Sequence, residues 1–361
     1  MQLSTFRDTV QRALTSFAWD QWAQLGVLAL PKRTDRWAAD PEALVLFTLE
    51  VGRSDPRLFD EVLDWLLTNE RLIGVQRLWN LCTDDEDRDL VGAALAWMAR
   101  WQPRVRLPAR AIRRAEGIRR VEGQPRPLFR TVMQVQHPDP AFLSVGLVKP
   151  ETQPSHKSRP PDPTLPISFA FRMRLLFGVG SRAEVMRYLL TTPAPDVSAQ
   201  LVAEAAGYAK RNVAEALSAL TASGLVTAFD RGNERRYCID RLRWGQLLGL
   251  TPETWPGHRD WPQLLRALRR LSRWLEAPGL DELSPYMLAS EARGLMAEIE
   301  SDLTFAGFSV SSTTGGLGEQ YWGSFTSSVE SVLSALQASG TAEGRSSPSR
   351  EPRMMEEKSQ L

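Results

Sequence analysis

A chain of 361 residues, 43% of them hydrophobic, is long enough for two or three domains and apolar enough to bury a core. A formal net charge of +1 excludes a protein that coats nucleic acid over its whole surface, so any such contact must be confined to a patch or one element. The two cysteines, Cys82 and Cys238, stand far apart, which excludes a disulfide framework and a clustered-cysteine zinc site.

No apolar run approaches the ~18 residues that cross a bilayer. The opening stretch MQLSTFRDTVQRAL carries early charges and no apolar segment, so it is not expected to act as a signal peptide. A reducing, cytoplasmic location is the expectation.

Residues 1–130 read as an N-terminal helical domain with an arginine-rich end. PEALVLFTLEVG (41–52) and DPRLFDEVLDWLLTNERLI (55–73) carry apolar residues at helical spacing, and Asp55–Pro56 is a helix start. DRDLVGAALAWMARW (87–101) is a further helix. The stretch 100–130 holds ten arginines against Glu116 and Glu122. It reads either as a solvated helical face or as an accessory phosphate-contacting surface. Segment 41–81 leaves room for a degenerate copy of the helical unit described next.

Residues 131–166 read as an irregular, proline-rich linker. In the unit expected over 167–250, SRAEVMRYLL opens with a capping box, Ser181 capping and Glu184 reaching back. SAQLVAEAAG is a second helix with Ser198 as its cap and Gly207 as its left-handed stop. A third helix runs from about Ala209 to Ser223, with Val213 and Leu217 pointing inward to meet Val202 and Ala206. LVTAFD and RYCID then form two strands around the tip RGNER.

That order of elements resembles the winged helix-turn-helix domains of the ArsR/MarR-type bacterial transcriptional regulators, over roughly residues 181–240. The stretches that carry the resemblance are SRAEVMRYLL, LVAEAAGYAKRNVAEALSALTASGLV and the basic tip. Ala209 departs from it where a Ser or Thr cap is usual, and the family's metal-sensing cysteines are missing. The expected fold class is therefore mainly α: three helices plus a two-stranded wing, flanked by N- and C-terminal helical regions.

The resemblance implies binding to double-stranded DNA. The first turn of the third helix enters the major groove, with Lys210 and Arg211 on phosphate or guanine and Asn212 on adenine. Tyr208 either packs in the turn or touches the DNA backbone, and Arg231, Asn233, Arg235 and Arg236 form a basic wing. The alternative is a protein-interaction module, a regulatory subunit or antitoxin-like partner, whose winged helix touches no DNA.

Residues 251–339 read as amphipathic helices with Leu264, Leu268, Leu271 and Leu275 on one face. That face is expected either to pack on the winged helix or to make a homodimer. A protein partner is expected at the N-terminal domain, and residues 340–361 read as a disordered tail.

No enzyme, cofactor or metal is expected. His137, His156 and His258 lack helix-spaced partners. DDEDRD (84–89) reads as an acidic helix entry rather than a cation loop, and TTGGLGEQY (313–321) as an inter-helix loop rather than a phosphate loop.

Overall fold

The computed structural model describes residues 1–31, 36–102, 124–131, 134–310, 316 and 318–338. The expected disordered tail, most of the arginine-rich stretch and part of the glycine-rich one lie outside them. Fourteen α-helices and two small sheets make up the described residues, so the protein is mainly helical. None of the described helices is long and apolar enough to cross a membrane.

A large helical body is built first from α1 (Leu3–Gln24), α2 (Pro41–Val51), α3 (Pro56–Thr68), α4 (Val75–Asn80) and α5 (Asp85–Trp101). Local chemistry sets the starts of these helices. Asp40 accepts from the Ala43 N–H at 3.1 Å and Asp55 from the Leu58 N–H at 3.1 Å, each with a proline next in sequence. Every residue of α2 is buried, its two glutamates included.

The strands β1 (Arg126–Pro127) and β2 (Leu147–Val148) form a short parallel pair around α6 (Pro140–Leu143). The chain then runs irregularly along the body to residue 165, but it is no free linker. The Asp64 carboxylate accepts from the backbone N–H groups of His156 and Ser158, at 2.7 and 3.2 Å. Arg159 N–H donates to Gly26 O at 2.8 Å, and the buried Lys149 pairs with Asp60 at 2.7 Å. Extended backbone must place its polar groups somewhere, and here the body supplies the partners.

A second, smaller unit follows: α7 (Phe169–Phe177), α8 (Ser181–Thr191), β3 (Val197–Ser198), α9 (Ala199–Ala206), α10 (Lys210–Ala222), β4 (Thr227–Arg231), β5 (Glu234–Cys238) and α11 (Arg241–Leu248). The antiparallel sheet has the order β3-β5-β4. A core of its own holds Met186, Val202, Val213, Leu217 and Tyr237. The capping box at the start of α8 is not made. Gly180 is the N-cap, Ser181 makes no capping bond, and Glu184 turns inward to two arginines.

The last helices, α12 (Trp261–Leu275), α13 (Pro285–Phe305) and α14 (Gln320–Ala338), return to the first core. α12 packs on α2 and α13, and α14 packs on α1, where Phe6 meets Trp322 and Phe325 with ring centroids 5.4 and 5.8 Å apart. The two ends of the chain thus share one core rather than forming separate regions. The stripe Leu264, Leu268, Leu271 and Leu275 is buried within the chain's own core, so it leaves no face for a second copy. Segment 41–81 is not a second copy of the smaller unit, because α2, α3 and α4 lead into α5 without a hairpin.

Body and smaller unit meet through six buried charged side chains. Glu42 on α2 accepts from Arg77 Nη1 at 2.7 Å and from both terminal nitrogens of Arg174 at 2.8 and 2.7 Å. Asp40 receives Arg77 at 2.6 and 2.5 Å, while Glu184 receives Arg174 at 2.6 Å and Arg187 at 2.8 Å. Three carboxylates face three guanidiniums, all at most 1% exposed, so the set is neutral and dry. Arg77 also donates Nε–H to Ala206 O at 2.6 Å, at the end of α9. Gly207, next in sequence, has φ 67°, and a Cβ there would stand 2.8 Å from Leu81 Cδ2 of the body. Both the left-handed turn and this close approach call for glycine.

Candidate nucleic-acid interface

α9, the turn at Gly207 and α10 place the predicted contact residues. Ser198 caps α9 by accepting from the Leu201 N–H at 3.3 Å, as its sequence position predicts. Ala209 is the N-cap of α10 and makes no side-chain bond, leaving backbone N–H groups of the first turn uncapped by a side chain. Lys210, Arg211 and Asn212 are exposed in that turn. Arg211, 87% exposed, pairs with Glu215 at 3.0 Å one turn on. Val213, Ala216, Leu217 and Leu220 form the buried side of the helix. The opposite stripe of Arg211, Glu215, Ser218 and Ala222 is open, and its C-terminal half is small and neutral.

Tyr208 packs into the turn. It is partly buried against the smaller core, and burial pushes its hydroxyl up to about 12. Of its two sequence readings, packing is the one the geometry favours.

The hairpin β4–β5 turns through Gly232 and Asn233, with Gly232 at φ 62° in the first turn position, where a type II′ hairpin needs a left-handed residue. Arg231, Asn233 and Arg235 are exposed at this end. Arg236 is not part of a free basic tip. It donates to Asp196 Oδ1 at 2.7 Å and Asp196 O at 3.0 Å, and pairs with Glu234 at 2.9 Å. Alternation along β5 explains the split, since Arg235 and Arg236 face opposite sides of a strand. Asp196 also pairs with Arg231 at 3.2 Å. Replacing it with Ala frees Arg231 and leaves Arg236 with Glu234 alone. The expected cost is about 1 kcal/mol, because Asp196 is buried but both of its arginines reach solvent, which screens the pairs. Amide exchange in β4 and β5 is expected to quicken, and unchanged exchange would mean that Asp196 does not hold the hairpin.

The other arginines of 100–130 that are described face the chain itself. Arg100 pairs with Asp139 and Glu151, Arg126 with Glu86, and Arg130 with Glu50. The acidic run 84–89 behaves likewise. Asp84 caps α5, and the carboxylates of Asp84, Glu86 and Asp87 meet Arg273, Arg53 and Arg269. Guanidiniums occupy the oxygens a cation would need, and no metal-holding cluster occurs among the described residues. His258 lies between Asp260 and Thr191, at 2.9 and 3.3 Å, with Tyr188 against its ring. Thr191 is buried, and this set joins the α12 entry to α8.

The six-charge junction was missed from sequence. Its signal is two acids, Asp40 and Glu42, at the head of a helix otherwise apolar enough to be buried outright. A buried acid requires a partner, but nothing local says which.

No protein-family model, curated protein or solved structure matches the chain.

Proposed function

We propose that this protein is a cytoplasmic transcriptional regulator, and that residues 181–240 are a winged helix-turn-helix that binds duplex DNA. The carrying observation is the open face of α10. Its uncapped first turn offers backbone N–H groups beside Lys210, Arg211 and Asn212, and small side chains follow. A groove-reading helix needs that combination, with charge for phosphate, an amide for a base edge, and little bulk to hold it away. The hairpin with Arg231, Asn233 and Arg235 serves as the wing. The junction with the body holds the other side of the unit, the turn at Gly207 included, so α10 is the side left to meet a ligand. Two copies, each presenting one α10, would read half-sites about 34 Å apart.

A second reading, docking onto protein, is favoured by one observation. Arg211, Arg231 and Arg236 each already pair with a carboxylate of their own chain. The dependence of duplex affinity on salt separates the two. DNA binding predicts a steep loss of affinity with salt, and each phosphate contact removed flattens the log–log slope by about 0.9. The Lys210→Ala/Arg211→Ala protein is therefore expected to bind more weakly, with a slope shallower by roughly one to two units. Equal slopes for both proteins would support the docking reading.

A further inference from the structure

Two charged residues stand on the open stripe of α10, Arg211 and Glu215, and they hold each other. Arg211 Nε donates to Glu215 Oε1 at 3.0 Å. Glu215 lies one turn on, about 6 Å along the helix axis, so the bond draws the guanidinium away from the uncapped first turn and over the middle of the open face. Only Nε is used. Nη1 and Nη2 make no hydrogen bond among the described residues, and they are the fork that grips two acceptors in one plane. The carboxylate also cancels the charge of Arg211. A neutralised arginine offers little to a phosphate, which is bound through charge, but keeps its fork for a base edge. Lys210 differs, because it is exposed in the first turn and makes no ion pair among the described residues. Ser218 and Ala222 follow Glu215 along the stripe and are too small to hold the fork off a groove floor.

We propose that Arg211 reads a guanine, its Nη1 and Nη2 donating to O6 and N7 in the major groove, and that Glu215 is the residue that positions it. Lys210 then takes the phosphate. Guanine reading rests on the DNA-binding role proposed above and deepens it, naming the base and giving Lys210 and Arg211 different partners. The pair contributes little to folding, since both side chains are largely exposed. Its effect is to fix a long side chain in one orientation before DNA arrives, so that less freedom is lost on binding.

The test starts from the duplex motif that the full-length wild type selects from a random library. Anisotropy then measures binding of that duplex, and of duplexes with each base pair changed in turn, over a range of salt. The proteins compared are the wild type, Lys210→Ala, Arg211→Ala and Glu215→Ala. Arg211→Ala is expected to erase a preference of about tenfold or more for guanine at one position and to leave the salt slope unchanged. Lys210→Ala is expected to weaken all duplexes alike and to flatten the slope by about 0.9. Glu215→Ala frees Arg211 for phosphate, so it is expected to cut the guanine preference several-fold and to steepen the slope. A flatter slope in Arg211→Ala with every base preference intact would place Arg211 on phosphate and overturn the assignment. A preference that Glu215→Ala leaves whole overturns the positioning role. A preference that Arg211→Ala keeps and Glu215→Ala loses would make Glu215 itself the reader, of cytosine, and overturns it too. These outcomes leave the DNA-binding proposal standing, whereas no motif from the wild type would overturn that proposal and this assignment with it.

Discussion

Glu42→Ala is expected to destabilise the protein by about 3–5 kcal/mol, since removing one partner of a buried ion set strands the others in a dry interior. Glu42 is fully buried and takes four hydrogen bonds: one from the Gly74 N–H at 2.6 Å, one from Arg77 and two from Arg174. Its loss leaves the junction with two carboxylates against three guanidiniums. The exposed pair Arg211–Glu215 is the comparison, and Glu215→Ala is expected to change stability by no more than about 0.5 kcal/mol. Chemical denaturation of both variants measures the contrast. Similar small effects would mean that water reaches the junction. The expected damage also has a place, because the charges lost join the smaller unit to the body.

Acid should weaken the same junction. Burial alone would raise the carboxyls of Asp40 and Glu184, but their arginines outweigh it. Arg77 holds Asp40, and Arg174 and Arg187 hold Glu184, below their ordinary values of 3.8 and 4.5. The unfolded chain therefore binds protons on these groups before the folded protein does. Their contribution is complete above the ordinary values and falls away as pH drops below them, by up to about 1.4 kcal/mol per pH unit for each carboxyl. Asp60, raised by burial, acts in the opposite sense. Denaturation midpoints taken from neutral pH downward are expected to hold steady and then fall steeply below about pH 4. A flat profile to lower pH would show that these carboxyls are not held charged by their arginines.

Much of the smaller unit was legible because its signals are local. Ser198 caps where its spacing says, Gly207 turns left-handed, and Val213 and Leu217 point inward at helical period. The failures share one physical reason, since a charged or apolar side chain declares a need without naming the distant group that meets it. Ser181 and Glu184 satisfy the capping-box pattern, yet Arg174 and Arg187 outcompete the helix end for Glu184. The leucine stripe of α12 asks for an apolar face and finds the chain's own core. Arg236 looks like a wing residue until Asp196, forty positions away, takes it. Residues 131–166 lack periodicity and so read as a linker, but Asp64 and Gly26 fix the backbone at His156, Ser158 and Arg159.

Selection from a random duplex library tests the central claim most directly, with the wild type run beside the Lys210→Ala/Arg211→Ala/Asn212→Ala protein. The wild type is expected to enrich a defined motif and the triple variant to enrich none, while circular dichroism shows both folded. No enrichment by the wild type, or the same motif from both proteins, would contradict DNA reading by α10.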